Sequence, residues 1–166
     1  MQPSRNGVFM AIEIERKFLV RGDGWRNAPA VYYSQGYLNR AKERTVRVRI
    51  AGDEAFLTIK GASSGASRAE FEYSILLQDA RELLALCEQP LIEKYRRKIL
   101  YEGYVWEVDE FLGANEGLVV AEIELPSEKA AFAKPGWVGE EVTSDPRYFN
   151  SALSSHPWQR WGQLDS

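Results

Sequence analysis

Charged and apolar residues alternate with a period of two along several short segments of this chain, and this alternation constrains the fold more than any other feature. Successive side chains of a β-strand point to opposite faces, so the pattern indicates strands and not helices. Glycines between the segments predict turns. The predicted strands are Ala11–Val20, Thr45–Ile50, Ala55–Lys60, Ala69–Leu77, Lys94–Tyr101, Tyr104–Phe111 and Leu118–Leu125. Together they predict a mainly β fold, built as an antiparallel sheet or barrel.

Three other segments predict helices that would cover the apolar faces of these strands. Gln78–Glu88 places its leucines on one helical face, with Asp79 as a candidate N-cap. Ser127–Lys134 also begins with a residue type that caps helices. Asp145–Ser155 is followed closely by Pro157, which stops a helix.

The charged face of each predicted strand carries mostly residues of one sign. Acidic pairs occupy four strands: Glu13 and Glu15, Glu70 and Glu72, Glu107 and Asp109, and Glu122 and Glu124. Basic residues occupy the other three strands: Arg47 and Arg49 on one, Lys60 on the next, and Lys94, Arg96 and Lys98 on the last. One further base, Lys17, follows Glu13 and Glu15 on the first strand. Solubility alone would favour interspersed signs, because neighbouring like charges repel one another.

Two interpretations of these faces are open. In the first, every charged face is solvated and the apolar faces form an ordinary core. In the second, the charged faces point inward and converge on a polar tunnel. Paired carboxylates bind a cation and paired bases bind an anion, so a hydrated polyanion held with a metal would satisfy both sets. The segregation of sign favours the second interpretation, and the cost of burying unpaired charge predicts a tunnel that holds water until its guest binds.

Composition narrows the class of partner. The net charge of −3 argues against a long nucleic acid, which usually requires a basic surface, whereas a small anion needs only a local basic cluster. The chain has one cysteine, Cys87, and no apolar stretch near the roughly 20 residues of a membrane span. We therefore expect a cytoplasmic protein. Residues 1–9 predict a disordered extension, with Met10 as a possible start, ahead of a single domain over residues 10–166.

An ordered series of motifs resembles one known family. Glu13-Ile14-Glu15-Arg16-Lys17 is similar to the N-terminal Glu-x-Glu-x-Lys signature of the CYTH superfamily, the triphosphate tunnel metalloenzymes. The signature alone is a weak signal, but the series continues in order along nearly the whole chain. The later motifs are Arg47-Val48-Arg49, Thr58-Ile59-Lys60-Gly61, Glu70-Phe71-Glu72-Tyr73, Lys94-Tyr95-Arg96, Trp106-Glu107-Val108-Asp109, Ala121-Glu122-Ile123-Glu124 and Arg147-Tyr148-Phe149-Asn150.

This resemblance implies an eight-stranded antiparallel β-barrel tunnel that hydrolyses tripolyphosphate or another small triphosphate, including a nucleotide. It implies Mg²⁺ or Mn²⁺ as cofactor, held by the acidic pairs of the first and late strands: Glu13, Glu15, Glu122 and Glu124. The bases would bind phosphate oxygens: Arg47, Arg49, Lys60, Lys94 and Arg96, with Lys17 near the scissile bond. Three further acids are catalytic candidates that would orient water or hold a second metal: Glu70, Glu72 and Asp109.

Two other functions share these motifs. A class IV adenylate cyclase uses the same metal and phosphate groups, but such cyclases carry a His-Phe pair shortly before the signature. Here the only histidine is His156, far downstream, which disfavours the cyclase. The other alternative is a polyphosphate-binding module without catalysis. For Glu72, Lys98 and Glu107, a purely structural role in internal salt bridges is also open.

Overall fold

The computed structural model describes residues 12–162. The predicted extension over residues 1–9 and the possible start at Met10 lie outside the described residues. Within the described range the chain forms nine strands, two α-helices and four short 3-10 turns. The strands are β1 (Ile12–Val20), β2 (Ala30–Asn39), β3 (Arg44–Ala51), β4 (Glu54–Gly61), β5 (Ser67–Ser74), β6 (Glu88–Tyr101), β7 (Tyr104–Phe111), β8 (Val119–Glu124) and β9 (Val138–Glu141). The helices are α1 (Leu77–Leu86) and α2 (Asn150–Ser155).

Eight strands close into an antiparallel barrel, as predicted. Their order around the barrel is β1, β8, β7, β6, β2, β3, β4 and β5, and β5 pairs with β1 to close the ring. The closing seam is short, because only Ile12–Ile14 of β1 face β5. Further along β1, Phe18 and Val20 pair with β9, the one strand outside the ring.

The packing of the barrel is inverted relative to an ordinary small barrel, whose inner face is apolar. Phe18, Trp106 and Ile123 alternate with charged neighbours and lie fully buried on the outer face of β1, β7 and β8. A second outer cluster joins Val48 of β3 to Ala80 and Leu84 of α1. The apolar cores therefore lie between the barrel and its covering segments, and the charged faces point inward.

A third apolar cluster lies inside one end of the barrel. Ile92, Phe111 and Val120 share the inner faces of their strands with charged residues, and Leu153 of α2 packs against them with no exposed surface. The C-terminal segment thus fills this end of the barrel. The opposite end carries no such apolar cluster among the described residues, and the inner faces there remain charged.

Several predicted elements differ from those observed. Ser127–Lys134 is not helical: it makes one turn, from Ala130 N–H to Ser127 O, and then runs irregularly. Its Phe132 ring contacts Phe18 and Trp106, and Pro135 disfavours helix in the preceding residue. Aromatic packing on the outer face therefore overrides the local helical signal.

The other differences concern boundaries and two missed strands. The predicted strand Ala69–Leu77 ends at Ser74, and Leu77 begins α1, so Asp79 lies in the first turn of that helix instead of capping it. The predicted helix Asp145–Ser155 divides into a 3-10 turn, Pro146–Tyr148, and α2. The sixth strand begins at Glu88, six residues before the predicted start. The two strands that prediction missed are β2 and β9, neither of which has a charged face of the kind that marked the others.

The close approach of β2 to the segment after α1 generates a stability prediction. A Cβ added at Gly36 would lie 2.6 Å from Leu91 Cδ2 and 2.8 Å from Cys87 Cβ. Gly36→Ala should therefore lower the free energy of unfolding by about 1–3 kcal/mol, the usual cost of overpacking. Gly136→Ala is the matched control, because a Cβ there meets nothing within 4 Å. Urea unfolding measures both, and an equal effect of the two substitutions would contradict the packing described here.

Candidate active site

The charged inner faces surround one large cavity of about 620 Å³. Thirteen of the fifteen charged residues predicted to line a tunnel do so: Glu13, Glu15, Lys17, Arg47, Arg49, Lys60, Glu70, Glu72, Arg96, Lys98, Glu107, Glu122 and Glu124. The interpretation in which these faces are solvated on the outside of the fold is therefore wrong. For the other two residues, Lys94 and Asp109, the predicted lining position is wrong.

Lys94 and Asp109 lie behind the cavity wall, almost completely buried. The Lys94 ammonium is 2.7 Å from Asp109, and Arg96 donates two hydrogen bonds to the same carboxylate at 2.7 and 2.8 Å. Burial raises the pKa of Asp109, but the charges of Arg96 and Lys94 outweigh burial and lower the pKa to about 2. Asp109 is thus a permanently ionised counter-ion, shared by two bases.

One wall of the cavity is acidic. Glu15 of β1 and Glu122 of β8 are diagonal neighbours on paired strands of this wall. Burial, then the charges of Glu122 and Glu13, raise the pKa of Glu15 well above its ordinary value. Lys60 partly compensates this wall, with its ammonium 2.9 Å from Glu13 and 3.7 Å from Glu70.

This acidic wall suits a divalent cation chemically. Glu15 and Glu122 offer carboxylate oxygens, the ligands that Mg²⁺ and Mn²⁺ prefer, and a cation beside them would relieve the repulsion that raises the pKa of Glu15. Residues 12–162 contain no group of three or more carboxylate, imidazole or thiol side chains close enough to form a complete protein site. Mg²⁺ ordinarily keeps several waters and binds substrate phosphates beside one or two carboxylates, so a partial site is consistent with that ion.

The facing wall is basic. Arg47 and Arg49 of β3 and Arg96 of β6 are each more than nine-tenths buried. Burial, followed by the charges of Arg47 and Arg96, lowers the pKa of Arg49 to about 9. The Nε atom of Arg47 is buried without a hydrogen-bond partner. Three buried guanidinium groups on one wall, with the Nε donor of Arg47 unused, favour an anion in the cavity.

Lys17 lies between the acidic wall and the filled end of the barrel. Its ammonium donates a hydrogen bond to Tyr148 O at 3.1 Å and lies 3.8 Å from Glu122. The ammonium also lies 5.6 Å from the centre of the Phe149 ring. The C-terminal segment therefore sets the position of Lys17.

The remaining acids lie along β5, β7 and β8. Burial, then the charges of Glu13 and Glu72, raise the pKa of Glu70 to about 7. Glu72 accepts a hydrogen bond from the Thr58 hydroxyl at 3.1 Å and lies 3.7 Å from Arg47. Lys98 is largely exposed and lies 3.9 Å from Glu107, at the opposite end of the cavity from α2.

Comparison with known proteins places the chain in a family. The family model described as the CYTH domain matches residues 11–154. The chain belongs to the CYTH family. An inorganic triphosphatase from Acetivibrio thermocellus is 54% identical over 154 residues, covering 92% of this chain and 99% of that protein. An inorganic triphosphatase from Nitrosomonas europaea is 40% identical over 146 residues, covering 86% of this chain and 96% of that protein.

Solved structures agree with this assignment, and the predicted family is confirmed. The crystal structure of the inorganic triphosphatase NE1496 matches this CYTH chain with a TM-score of 0.61 at 39% identity, covering 86% of this chain and 97% of that one. The PH1012 protein from Pyrococcus horikoshii matches with a TM-score of 0.56 at 18% identity, covering 70% and 79%, and shares the fold. Among the described residues, no helix combines the length and the apolar character that crossing a membrane requires.

Prediction from sequence missed several uncharged residues of this CYTH cavity. Tyr33 of β2 and Asn150 of α2 line it, and the fully buried Gln35 lies behind them. The ring centre of Tyr33 is 4.9 Å from the guanidinium carbon of both Arg49 and Arg96. A signal was present in β2, where Tyr33, Gln35 and Tyr37 recur with a period of two, but a search for charged faces does not find it.

A second prediction concerns Asp109, the counter-ion that Lys94 and Arg96 share behind the cavity wall. Asp109→Asn should lower the free energy of unfolding by about 3–5 kcal/mol, because it leaves Lys94 and Arg96 buried without their common carboxylate. The control is the same substitution in an exposed turn: Asp53→Asn should change stability by no more than about 0.5 kcal/mol. Guanidinium unfolding at pH 7 compares them. Wild-type stability of Asp109→Asn would mean that the two bases do not depend on this carboxylate.

Proposed function

We propose that this CYTH protein hydrolyses tripolyphosphate, or another small triphosphate, within the barrel cavity, with Mg²⁺ or Mn²⁺ as cofactor. The observation that carries the proposal is the juxtaposition, in one cavity, of three buried arginines and the neighbouring carboxylates Glu15 and Glu122. The two inorganic triphosphatases that cover most of this chain at 54% and 40% identity support it.

The basic wall would bind the phosphate oxygens. Arg47, Arg49 and Arg96 are suited to bind them as planar forks, and Lys60 as a point charge, since a guanidinium matches phosphate geometry with two parallel donors. A bound polyanion would satisfy the unpartnered Nε of Arg47 and relieve the mutual repulsion that lowers the pKa of Arg49. Anion binding is thus stabilised by charges that destabilise the empty cavity.

We propose that the acidic wall holds the metal through Glu13, Glu15 and Glu122, with Glu124 beside them. When bound there, a divalent cation would neutralise phosphate oxygens and allow the anion to lie against carboxylates. Lys17 is positioned next to Glu122 and would stabilise negative charge on a phosphate near the metal. Lys60 would lose part of its pairing with Glu13 and turn toward the anion.

Hydrolysis then needs a water held in line with the bond to be broken. Glu70 and Glu72 of β5 lie in the same cavity, and we propose that they orient this water and accept its proton as the phosphorus–oxygen bond breaks. We assign Lys94 and Asp109 an indirect role, because both lie behind the wall and contact Arg96 or its counter-ion. They would hold Arg96 in place without contacting substrate.

The decisive assay is release of phosphate from tripolyphosphate with Mg²⁺ or Mn²⁺, compared with a reaction containing EDTA. ATP in a parallel reaction tests for cyclic AMP, whose formation would instead indicate a cyclase. Tripolyphosphate binding without phosphate release would indicate a binding module. Metal-dependent release of phosphate without cyclic AMP is the expected result.

A third prediction concerns the acidic wall. Glu15→Gln should abolish metal-dependent phosphate release and leave the fold intact, because an amide keeps the shape of the side chain but cannot contribute negative charge to a metal. Glu82→Gln, on the exposed face of α1, is the control and should keep full activity. Circular dichroism checks the fold of both. Full turnover by Glu15→Gln at saturating metal would refute the assignment of this wall to the cation.

A fourth prediction concerns the basic wall. Arg47→Ala should weaken tripolyphosphate binding by about 1.5–3 kcal/mol, the range for hydrogen bonds to charged groups. Arg44→Ala is the matched control, because Arg44 lies on the same strand but is exposed and contacts Glu43. Titration calorimetry should show little change for Arg44→Ala. Equal affinities of the two variants would place the phosphates elsewhere in the barrel.

A further inference from the structure

A continuous line of buried and partly buried polar contacts joins Arg49 to Arg96 around the filled end of the barrel. Arg49 Nε donates to Gln35 Oε1 at 2.8 Å, and Gln35 Nε2 donates to Asn150 Oδ1 at 3.3 Å. The ammonium of Lys94 donates to the same Asn150 oxygen at 3.0 Å. The line then passes through Asp109 to Arg96, by the ion pairs already described.

The two amides in this line have fixed orientations. An arginine is a donor only, so Gln35 must turn its oxygen toward Arg49, and its NH₂ group must then point to Asn150. That NH₂ group is a donor only, so Asn150 must present its oxygen to Gln35, and the same oxygen accepts the hydrogen bond from Lys94. The donor at Arg49 therefore determines a single arrangement of the two amides.

We propose that Gln35 and Asn150 are positioning residues that aim the Arg49 guanidinium at the phosphate chain and make this aim depend on the docking of α2. The inference rests on the proposed function and goes beyond it by assigning a role to two residues outside the charged sets. Gln35 is fully buried, and its neutral amide orients the guanidinium without neutralising it. A carboxylate at this position would cancel the charge that attracts the anion.

The C-terminal helix α2 holds Asn150 in its place in this line of contacts. Asn150 is the first residue of α2, and Leu153 of the same helix is fully buried among Ile92, Phe111 and Leu118. This apolar packing holds α2 in the barrel end, so the Asn150 oxygen stays within reach of Gln35 and Lys94. The orientation of a phosphate-binding arginine on β3 thereby depends on a helix more than a hundred residues further along the chain.

A double-mutant cycle tests whether Gln35 acts through Arg49. The probe is tripolyphosphate with Mn²⁺, and the measured quantity is kcat/KM for phosphate release. Gln35→Met keeps the approximate volume and removes the acceptor. In the wild-type background it should lower kcat/KM about tenfold, mostly through KM, which corresponds to ~1.4 kcal/mol. In the Arg49→Ala background the same change should lower kcat/KM less than about twofold, because residues that act as a unit are non-additive.

A second variant and a control distinguish a loss of positioning from a folding defect in Gln35→Met. Asn150→Ala removes the acceptor that Gln35 and Lys94 share, and with it the link to α2. It should lower kcat/KM in the wild-type background while having little effect in the Arg49→Ala background. Ser154→Ala is the control from the same helix, because the Ser154 hydroxyl donates to Pro90 O and not to a member of the line. It should leave KM unchanged.

The outcomes separate this inference from the proposed function. If the wild-type protein releases no phosphate from tripolyphosphate, the proposed function fails and the positioning role with it. If the wild-type protein is active but Gln35→Met and Asn150→Ala have the same effect with and without Arg49, the positioning role alone is overturned. Wild-type KM in both single variants would overturn it equally.

Discussion

The structure depends on the requirement that a charge inside a protein be hydrated or paired. Asp109 meets this requirement for the deepest part of the barrel, because its carboxylate serves Lys94 and Arg96 at once. With that charge balanced behind the wall, Arg96 can present its remaining donors to the cavity. Removing one partner of a buried ion pair is strongly destabilising, so the stability of the domain depends on this carboxylate.

The inverted packing follows from the same requirement. A barrel whose inner faces are charged cannot form its apolar core inside, so the apolar faces turn outward and must be covered. α1 covers β3, and an irregular segment with Phe132 and Trp137 covers β1, β7 and β8. The covering segments therefore contribute to stability, because they bury the hydrophobic surface of the barrel while its interior stays polar.

Like charges lie close together on each wall of the cavity, carboxylates on one wall and guanidinium groups on the other. On the acidic wall, burial and the charges of Glu122 and Glu13 raise the pKa of Glu15, and the basic wall leaves a buried donor of Arg47 without a partner. A metal-bound polyanion would relieve both walls together, whereas a simple cation or a simple anion would relieve only one. This complementarity, and not any single residue, is the physical basis of the proposed triphosphatase.

The sequence by itself determined seven of the nine described strands, the inward direction of the charged faces and the membership of most charged lining residues, because period-two alternation and segregation of sign are local properties. It did not determine that Lys94 and Asp109 lie behind the wall. Those residues share the alternation of Arg96 and Glu107, and only the approach of β6, β7 and α2 at the filled end of the barrel separates buried positions from lining ones. It also did not reveal the roles of Gln35 and Asn150, because an amide has no recognisable pattern until the folded chain brings it to a guanidinium or an ammonium. Tertiary structure alone decided these contacts, since each joins residues far apart in the chain, and the energy of a buried polar group depends on the partners that folding supplies.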